Sequence, residues 1–217
     1  MAHDTRRERR DKDRRKGGAA PKRASFTPRG KRPGWVVPGV VIVAVIALIF
    51  GLRAGGVFEP NPAAAIDVGS AKYNPPGTIG VKQKDEGATH VPDGQRVTYG
   101  TTPPTSGAHW GSPVAWGSYD SQQPNERTTH NLEHGGIVVS YNGLTSDETV
   151  LLKGIVAKLR TAHRKIVLQP YPTMSDAKIA VSSWVWQLKL QGVDDLQLIQ
   201  FVRSHYDSPD APEPGVN

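Results

Sequence analysis

Three side chains that can bind a metal ion or transfer a proton lie within five residues of this chain, at His130, Glu133 and His134. Two glycines follow them directly, and an apolar run begins at Ile137. Two imidazoles four residues apart can share one metal ion on a helical turn, where their Cβ atoms are about 6 Å apart. In a strand the same spacing separates them by about 13 Å. The motif therefore predicts a helical conformation if its three side chains act together.

The residues on either side of the motif set the length of the expected helix. Thr129 can cap a first turn, and Gly135 can end it in the left-handed conformation that glycine adopts readily. We therefore expect a single helical turn, which leads into a buried strand from Ile137 to Tyr141.

Two further residues could complete a metal site. His109, at the end of the segment 103–109, offers a third imidazole, and Met174 offers a soft thioether sulfur. Imidazoles with a thioether suit copper, whereas three imidazoles with a carboxylate suit zinc. We therefore predict a copper or zinc site whose candidate ligands are His109, His130, Glu133, His134 and Met174.

The motif has other interpretations. His-x-x-Glu-His is also the pattern of inverted zinc peptidases, but theirs lies on a long helix, and Gly135 and Gly136 end this one at once. We therefore predict no catalytic residues and favour a protein that is not an enzyme. The histidines could also tie a loop together, because imidazoles both donate and accept hydrogen bonds, or form a proton-transfer or other polar ligand site.

A non-enzymatic interaction module of the cell envelope is the alternative function. Trp110, Trp116 and Tyr119 lie among Gly and Ser residues in the long loop expected between Thr101 and Thr129. If exposed, these aromatic rings could contact a partner protein or a wall polymer, and if buried they would fix the loop to the core. In this hypothesis the histidines are structural.

The basic charge of the chain belongs to its N-terminal segment. Residues 1–34 carry 13 Lys or Arg against 4 Asp or Glu, whereas the whole chain of 217 residues has a net charge of +7. The remainder is close to neutral, so we expect no nucleic-acid partner. Because residues 1–34 are polar and contain several Gly and Pro, they are expected to form a disordered cytoplasmic tail.

An apolar segment follows the basic tail. Residues 36–52 contain no charged side chain, and a helix of this length approaches the ~30 Å hydrocarbon core of a bilayer. We predict an uncleaved transmembrane helix over residues 35–53, in preference to a signal peptide cleaved near Ala63 to Ala65. The positive-inside rule then places the N-terminus in the cytoplasm and the C-terminal domain outside it, on the cell membrane.

The rest of the chain is expected to form an α+β domain with a small mixed sheet and two amphipathic helices. Composition predicts a linker over residues 54–84, the extracytoplasmic domain over 85–208 and a Pro-rich C-terminal tail over 209–217. Hydrophobic periodicity predicts strands at 95–99, 137–141, 165–168 and 179–188, and helices at about 146–162 and from about 195. With no cysteine in the chain, the core alone must hold this domain together.

Several unusual blocks of the sequence resemble one known family, the bacterial domain of unknown function numbered 3105. They cover about residues 85 to 213 and comprise Tyr99, Pro103 to His109, Gly117 to Tyr119, His130 to Gly136, Pro170 to Met174, Trp184, Phe201 and Ala211 to Glu213. The resemblance implies a single membrane span before the domain but no activity. It also implies that His90 matters, because family members often have a histidine there, and it gives the same weight to His109, His130, Glu133, His134 and Met174.

Overall fold

A computed structural model describes residues 61–216. The predicted tail at 1–34 and the predicted transmembrane helix at 35–53 lie outside this part of the chain. Within residues 61–216, no helix has both the length and the apolar character needed to span a bilayer.

The described residues form a mixed sheet with helices on both faces, which confirms the predicted α+β class. The elements in chain order are a 3₁₀ turn at Ala71–Tyr73, β1 Val81–Lys82, β2 His90–Val91, β3 His109–Trp110, β4 Gly117–Ser118, α1 Asn125–Glu133, β5 Ile137–Tyr141, α2 Ser146–Ala162, β6 Ile166–Pro170, β7 Ile179–Ser183, β8 Trp186–Leu190 and α3 Asp195–His205. Residues 61–216 thus contain three α-helices, where two were predicted.

Six strands form the main sheet in the order β1-β8-β7-β5-β6-β4. Strand β5 pairs in parallel with β6, which also pairs in parallel with β4, whereas the β5–β7, β7–β8 and β1–β8 pairs are antiparallel. Strands β2 and β3 form a separate parallel pair. The mixed sheet expected from the sequence is therefore confirmed.

The β5-α2-β6 unit follows its local sequence signals. Thr145 caps α2 by accepting a hydrogen bond from the Glu148 N–H at 3.2 Å, and the Glu148 carboxylate accepts one from the Thr145 N–H at 2.8 Å. This reciprocal capping box satisfies two N–H groups at the start of the helix. The buried face of α2 then packs on one face of the sheet, as the apolar spacing predicts.

The same core includes α3 and part of the predicted linker. Asp194 caps α3 through the Gln197 N–H at 2.9 Å, and Phe201 is fully buried. Ala63 and Tyr73, which lie within the predicted linker 54–84, are also fully buried in this core. From residue 61 onwards, this segment therefore packs on the domain.

The strand predicted over residues 179–188 is wrong, because the chain reverses direction at Trp184 and Val185. Strands β7 and β8 form an antiparallel hairpin, and Val185 has a φ of +54°, which is rare for a β-branched residue. The Val185 N–H donates to the Thr105 carbonyl at 2.9 Å, and its carbonyl accepts from the Gln83 N–H at 2.7 Å. Contacts with two distant loops thus fix a turn that lacks the usual Gly or Asn.

Two other local predictions are also corrected. Residues 95–99 form no strand, because the Val97 N–H donates to the Glu126 carboxylate at 3.1 Å instead of joining a ladder. The segment 101–129 is not one loop, since it contains β3, β4 and the first half of α1.

Leu132 of α1 packs with Val138 and Trp184 on the second face of the sheet. Helix α1 therefore lies opposite α2 and α3.

Candidate metal centre

Helix α1 carries His130 and Glu133 in its last turn, and His134 follows at its C-cap. With nine residues it is longer than the predicted single turn, and Thr129 is not its cap but an interior residue whose hydroxyl donates to the Asn125 carbonyl at 2.8 Å. The predicted termination at Gly135 is confirmed, because Gly135 has a φ of +76°. The helix thus ends where three candidate ligands stand together.

Strands β2 and β3 bring two more histidines to the end of α1. Their parallel register aligns His90 with His109, and the two ring centroids lie 4.8 Å apart. The ring centroid of His130 lies 5.1 Å from each of them. Three imidazoles from three separate segments of the chain therefore meet in one place.

Glu133 lies at the centre of this group, which we call the His/Glu cluster and define as His90, His109, His130 and Glu133. Its Oε2 is 2.9 Å from Nε2 of His109, 3.1 Å from Nε2 of His90 and 3.9 Å from Nδ1 of His130. One ligating atom from each of the four residues lies within 4.8 Å of all the others. Ligand atoms around a tetrahedral zinc ion are about 3.3 Å apart, so small side-chain movements could close the cluster on an ion.

The cluster is buried on all sides but one. His109 is 0% exposed, and Glu133 and His130 are 4% and 5% exposed. The His90 side chain is 52% exposed. Solvent therefore reaches the cluster on the side of His90.

His109 lies between two groups that can only accept hydrogen bonds. Its Nδ1 is 2.8 Å from the Gly107 carbonyl, and its Nε2 is 2.9 Å from the Glu133 carboxylate. The Nδ1–H donates to the carbonyl, so a neutral ring directs the lone pair of Nε2 at a carboxylate oxygen. Only a second proton or a bound cation between the two atoms removes the repulsion between this lone pair and the carboxylate.

Burial and the neighbouring histidines act in opposite directions on the pKa of Glu133. Burial alone would raise the pKa of this carboxyl, but the adjacent imidazoles of His90 and His109 outweigh it and leave the pKa lower than usual. Glu133 is therefore ionised at neutral pH and supplies the negative charge of the cluster.

His130 is also fixed through its Nδ1 atom. The Nδ1–H donates to the Trp110 carbonyl at 2.7 Å, and Nε2 lies 3.0 Å from Nε2 of His134. Burial lowers the pKa of His130, more than the Trp110 carbonyl raises it. His130 is therefore neutral near pH 7, which is the form that binds a metal.

His134 connects the cluster to the C-terminal segment. Its Nε2 lies 3.4 Å from the Glu213 carboxylate, and the Glu213 N–H donates to the Glu133 carbonyl at 3.0 Å. Part of the segment predicted as a tail over 209–217 thus packs against the cluster, and Ala211 is only 5% exposed. Glu213 was not predicted as a site residue, although it belongs to one of the blocks that resemble the family, whereas the resemblance did indicate His90.

Met174 lies in another environment. It is 1% exposed and packs in a small apolar cluster with Tyr171, Ala177 and Ala180. The structure thus brings His109, His130, Glu133 and His134 together but gives no contact that supports Met174 as a ligand.

The aromatic residues of the segment 101–129 lie against the domain. Trp110 is 8% exposed, and its indole N–H donates to the Gln95 carbonyl at 2.8 Å. Trp116 and Tyr119 are half-buried and pack against the apolar residues beneath α1. This arrangement fixes the segment to the core and leaves little aromatic surface for a partner.

These features describe an α+β domain in which one helix end and a short parallel strand pair assemble a buried group of three histidines and a glutamate. The family model "Protein of unknown function (DUF3105)" matches residues 90–217, which include all four cluster residues. The chain therefore belongs to this family, as its sequence blocks indicated. Comparison with curated proteins and with solved structures finds no match.

Proposed function

We propose that this domain binds a divalent transition-metal ion such as zinc, rather than copper(I), through His90, His109, His130 and Glu133. The observation that carries the proposal is the position of His109, which is fully buried between the Gly107 carbonyl and the Glu133 carboxylate. A cation bound to Nε2 and to the carboxylate removes the repulsion between the lone pairs that face each other there.

The hydrogen bonds around the cluster support this assignment. A histidine that binds a metal usually donates its other ring N–H to a carbonyl or carboxylate, which fixes the tautomer and the ring orientation. His109 and His130 both do so, through Gly107 and Trp110. Their backbone partners are thus arranged as they are around bound metal ions.

The donor set favours zinc over copper(I). Three imidazole nitrogens and one carboxylate oxygen suit zinc, whereas copper(I) prefers the sulfur ligands that this cluster lacks. Because Met174 packs elsewhere, the argument for copper from a thioether loses its support.

A hydrogen-bond network without a metal is the competing explanation. It requires His109 to carry both ring protons and to form a buried ion pair with Glu133. Such a pair must overcome the desolvation of two charges, which costs several kcal/mol per ion. The interaction-module hypothesis is weaker, because Trp110 is buried and the other two aromatic rings are half-buried.

Zinc titration of the purified full-length chain tests the proposal. His3→Ala serves as the background, since His3 is the one histidine outside residues 61–216. We expect tight binding, with a Kd below about 1 µM. Binding should weaken strongly in His109→Ala and persist in the matched control His163→Ala, whose ring lies outside the cluster against Tyr206.

A folding control keeps this test decisive. His109 is fully buried and its substitution can disturb the fold, whereas His90 is half-exposed, so His90→Ala provides a second variant. A folded protein that binds no zinc or copper(II) below micromolar concentrations would refute the proposal and leave the hydrogen-bond network as the explanation.

We also propose that the domain lies outside the cytoplasm, anchored by the apolar segment 36–52. This proposal is supported by the sequence alone, through the length of that segment and the basic residues before it. A C-terminal fusion to alkaline phosphatase, which is active only after export, should be active in bacteria, and the matching fusion to a cytoplasmic reporter should be inactive. The reverse pattern would contradict the orientation.

A further inference from the structure

A second group of ligating side chains lies beside the His/Glu cluster. Glu133, His134 and Glu213 each place one ligating atom within 4.8 Å of the other two. Glu133 belongs to both groups, so its carboxylate stands between them. We call Glu133, His134 and Glu213 the second group.

Glu213 is held in this group by its backbone as well as by its side chain. Its N–H donates to the Glu133 carbonyl at 3.0 Å, and Ala211, two residues earlier, is buried in the core beneath α1. The Glu213 carboxylate is 51% exposed. An ion could therefore reach the second group from solvent without displacing the C-terminal segment.

His134 faces both groups through its Nε2 atom. This atom lies 3.0 Å from Nε2 of His130 and 3.4 Å from the Glu213 carboxylate. His130 donates its Nδ1–H to Trp110, so it binds the first ion through Nε2 and is then no acceptor for a proton of His134. Nδ1 of His134 is buried and has no hydrogen-bond partner among residues 61–216, so no contact there fixes which ring nitrogen carries the proton, and Nε2 can present its lone pair to a second ion.

We infer that a second divalent transition-metal ion binds Glu133, His134 and Glu213, so that the Glu133 carboxylate bridges two ions. The inference rests on the proposed function, because Glu133 can bridge only if the His/Glu cluster holds the first ion. Two ions that share a carboxylate in this way lie about 3.5–4 Å apart. The second group offers fewer ligands, and one of them is shared, so the second ion should bind more weakly than the first.

The number of bound ions tests the inference. In the full-length His3→Ala chain, zinc titration should resolve a tight first equivalent and a weaker second one. Glu213→Gln should remove the second equivalent and leave the first. As a matched control, Asp176→Asn removes an exposed carboxylate that belongs to neither group and should leave both steps unchanged.

Copper(II) provides a spectroscopic readout of the distance between the ions. The electron paramagnetic resonance signal should grow up to one equivalent and then fall, because two copper(II) ions about 3.5–4 Å apart couple magnetically. In Glu213→Gln the signal should not fall beyond one equivalent.

The outcomes separate the two proposals. A single equivalent that is weakened by His90→Ala retains the proposed function and overturns the second site. Two equivalents that both survive in Glu213→Gln also overturn it, since the second ion then binds elsewhere. Failure to bind any metal overturns both proposals.

Discussion

Replacing His90 by alanine separates metal binding from folding, because His90 is the one cluster residue that is half-exposed. Within residues 61–216 its side chain makes a single hydrogen bond, to Glu133 at 3.1 Å, and it is 52% exposed. Without metal, its loss should therefore lower the free energy of unfolding by at most about 1 kcal/mol. Removal of one of four metal ligands should weaken zinc binding at least ~10-fold.

These two numbers predict a specific change in the stabilisation by zinc. At a free zinc concentration 100 times the wild-type Kd, binding stabilises the folded chain by about 2.7 kcal/mol. A Kd raised tenfold leaves about 1.4 kcal/mol at the same concentration. For a domain of this size, 1 kcal/mol changes Tm by ~2–4 °C, so the zinc-induced rise should drop from about 5–11 °C to about 3–6 °C.

Thermal unfolding of the full-length chain, followed by circular dichroism with and without buffered zinc, measures both quantities. His163→Ala is the control and should retain the full wild-type rise. An equal zinc-induced rise in wild type and His90→Ala would refute the ligand assignment of His90. A rise that is absent from all three proteins would refute the metal site itself.

Three further predictions concern the fold around the cluster. Burial lowers the pKa of His130 and His205 in the folded chain, so the unfolded chain binds more protons below about pH 6.5. The urea concentration at the unfolding midpoint should therefore be lower at pH 5.5 than at pH 7.5. An unchanged or higher midpoint at the lower pH would contradict this reasoning. Gly136→Ala places a Cβ 2.6 Å from the Trp116 ring and 2.8 Å from a backbone carbonyl. It should lower the free energy of unfolding in urea by about 1–3 kcal/mol. In the control Gly117→Ala the new Cβ meets nothing within 4 Å, so the free energy of unfolding should change little. Thr145→Ala removes the α2 capping box and should cost about 1 kcal/mol in the same assay, and a loss below a few tenths would show that the cap is dispensable.

Elements with strong local signals could be predicted from the sequence. The helices predicted at about 146–162 and from about 195 and the strand predicted from Ile137 each depend on residues within one or two turns of each other, and all three are confirmed. The end of α1 at Gly135 is of the same kind, because only the following glycines are needed to predict it.

Elements that depend on distant contacts could not be predicted. Residues 125–129 of α1 have modest helix propensity, and tertiary contacts such as the burial of Glu126 hold them in the helix. The reversal at Val185 depends on hydrogen bonds to Thr105 and Gln83, which no pattern near Val185 reveals.

The residues of the candidate site also differ in how far the sequence could predict them. His130, Glu133 and His134 are close in sequence and were found by their spacing. His109 was proposed from its residue type, and His90 from the family resemblance. Glu213 lies 80 residues beyond Glu133, and only the fold brings it to the cluster.

The His/Glu cluster also joins parts of the chain that no disulfide cross-links. His90 and Glu133, 43 residues apart in sequence, meet at 3.1 Å in a chain that contains no cysteine. A covalent cross-link that closes a loop of that length lowers the entropy of the unfolded chain by the equivalent of about 4 kcal/mol. An ion bound by both residues would act as a reversible cross-link. Removing it with a chelator should therefore make the whole domain easier to unfold and to digest with protease.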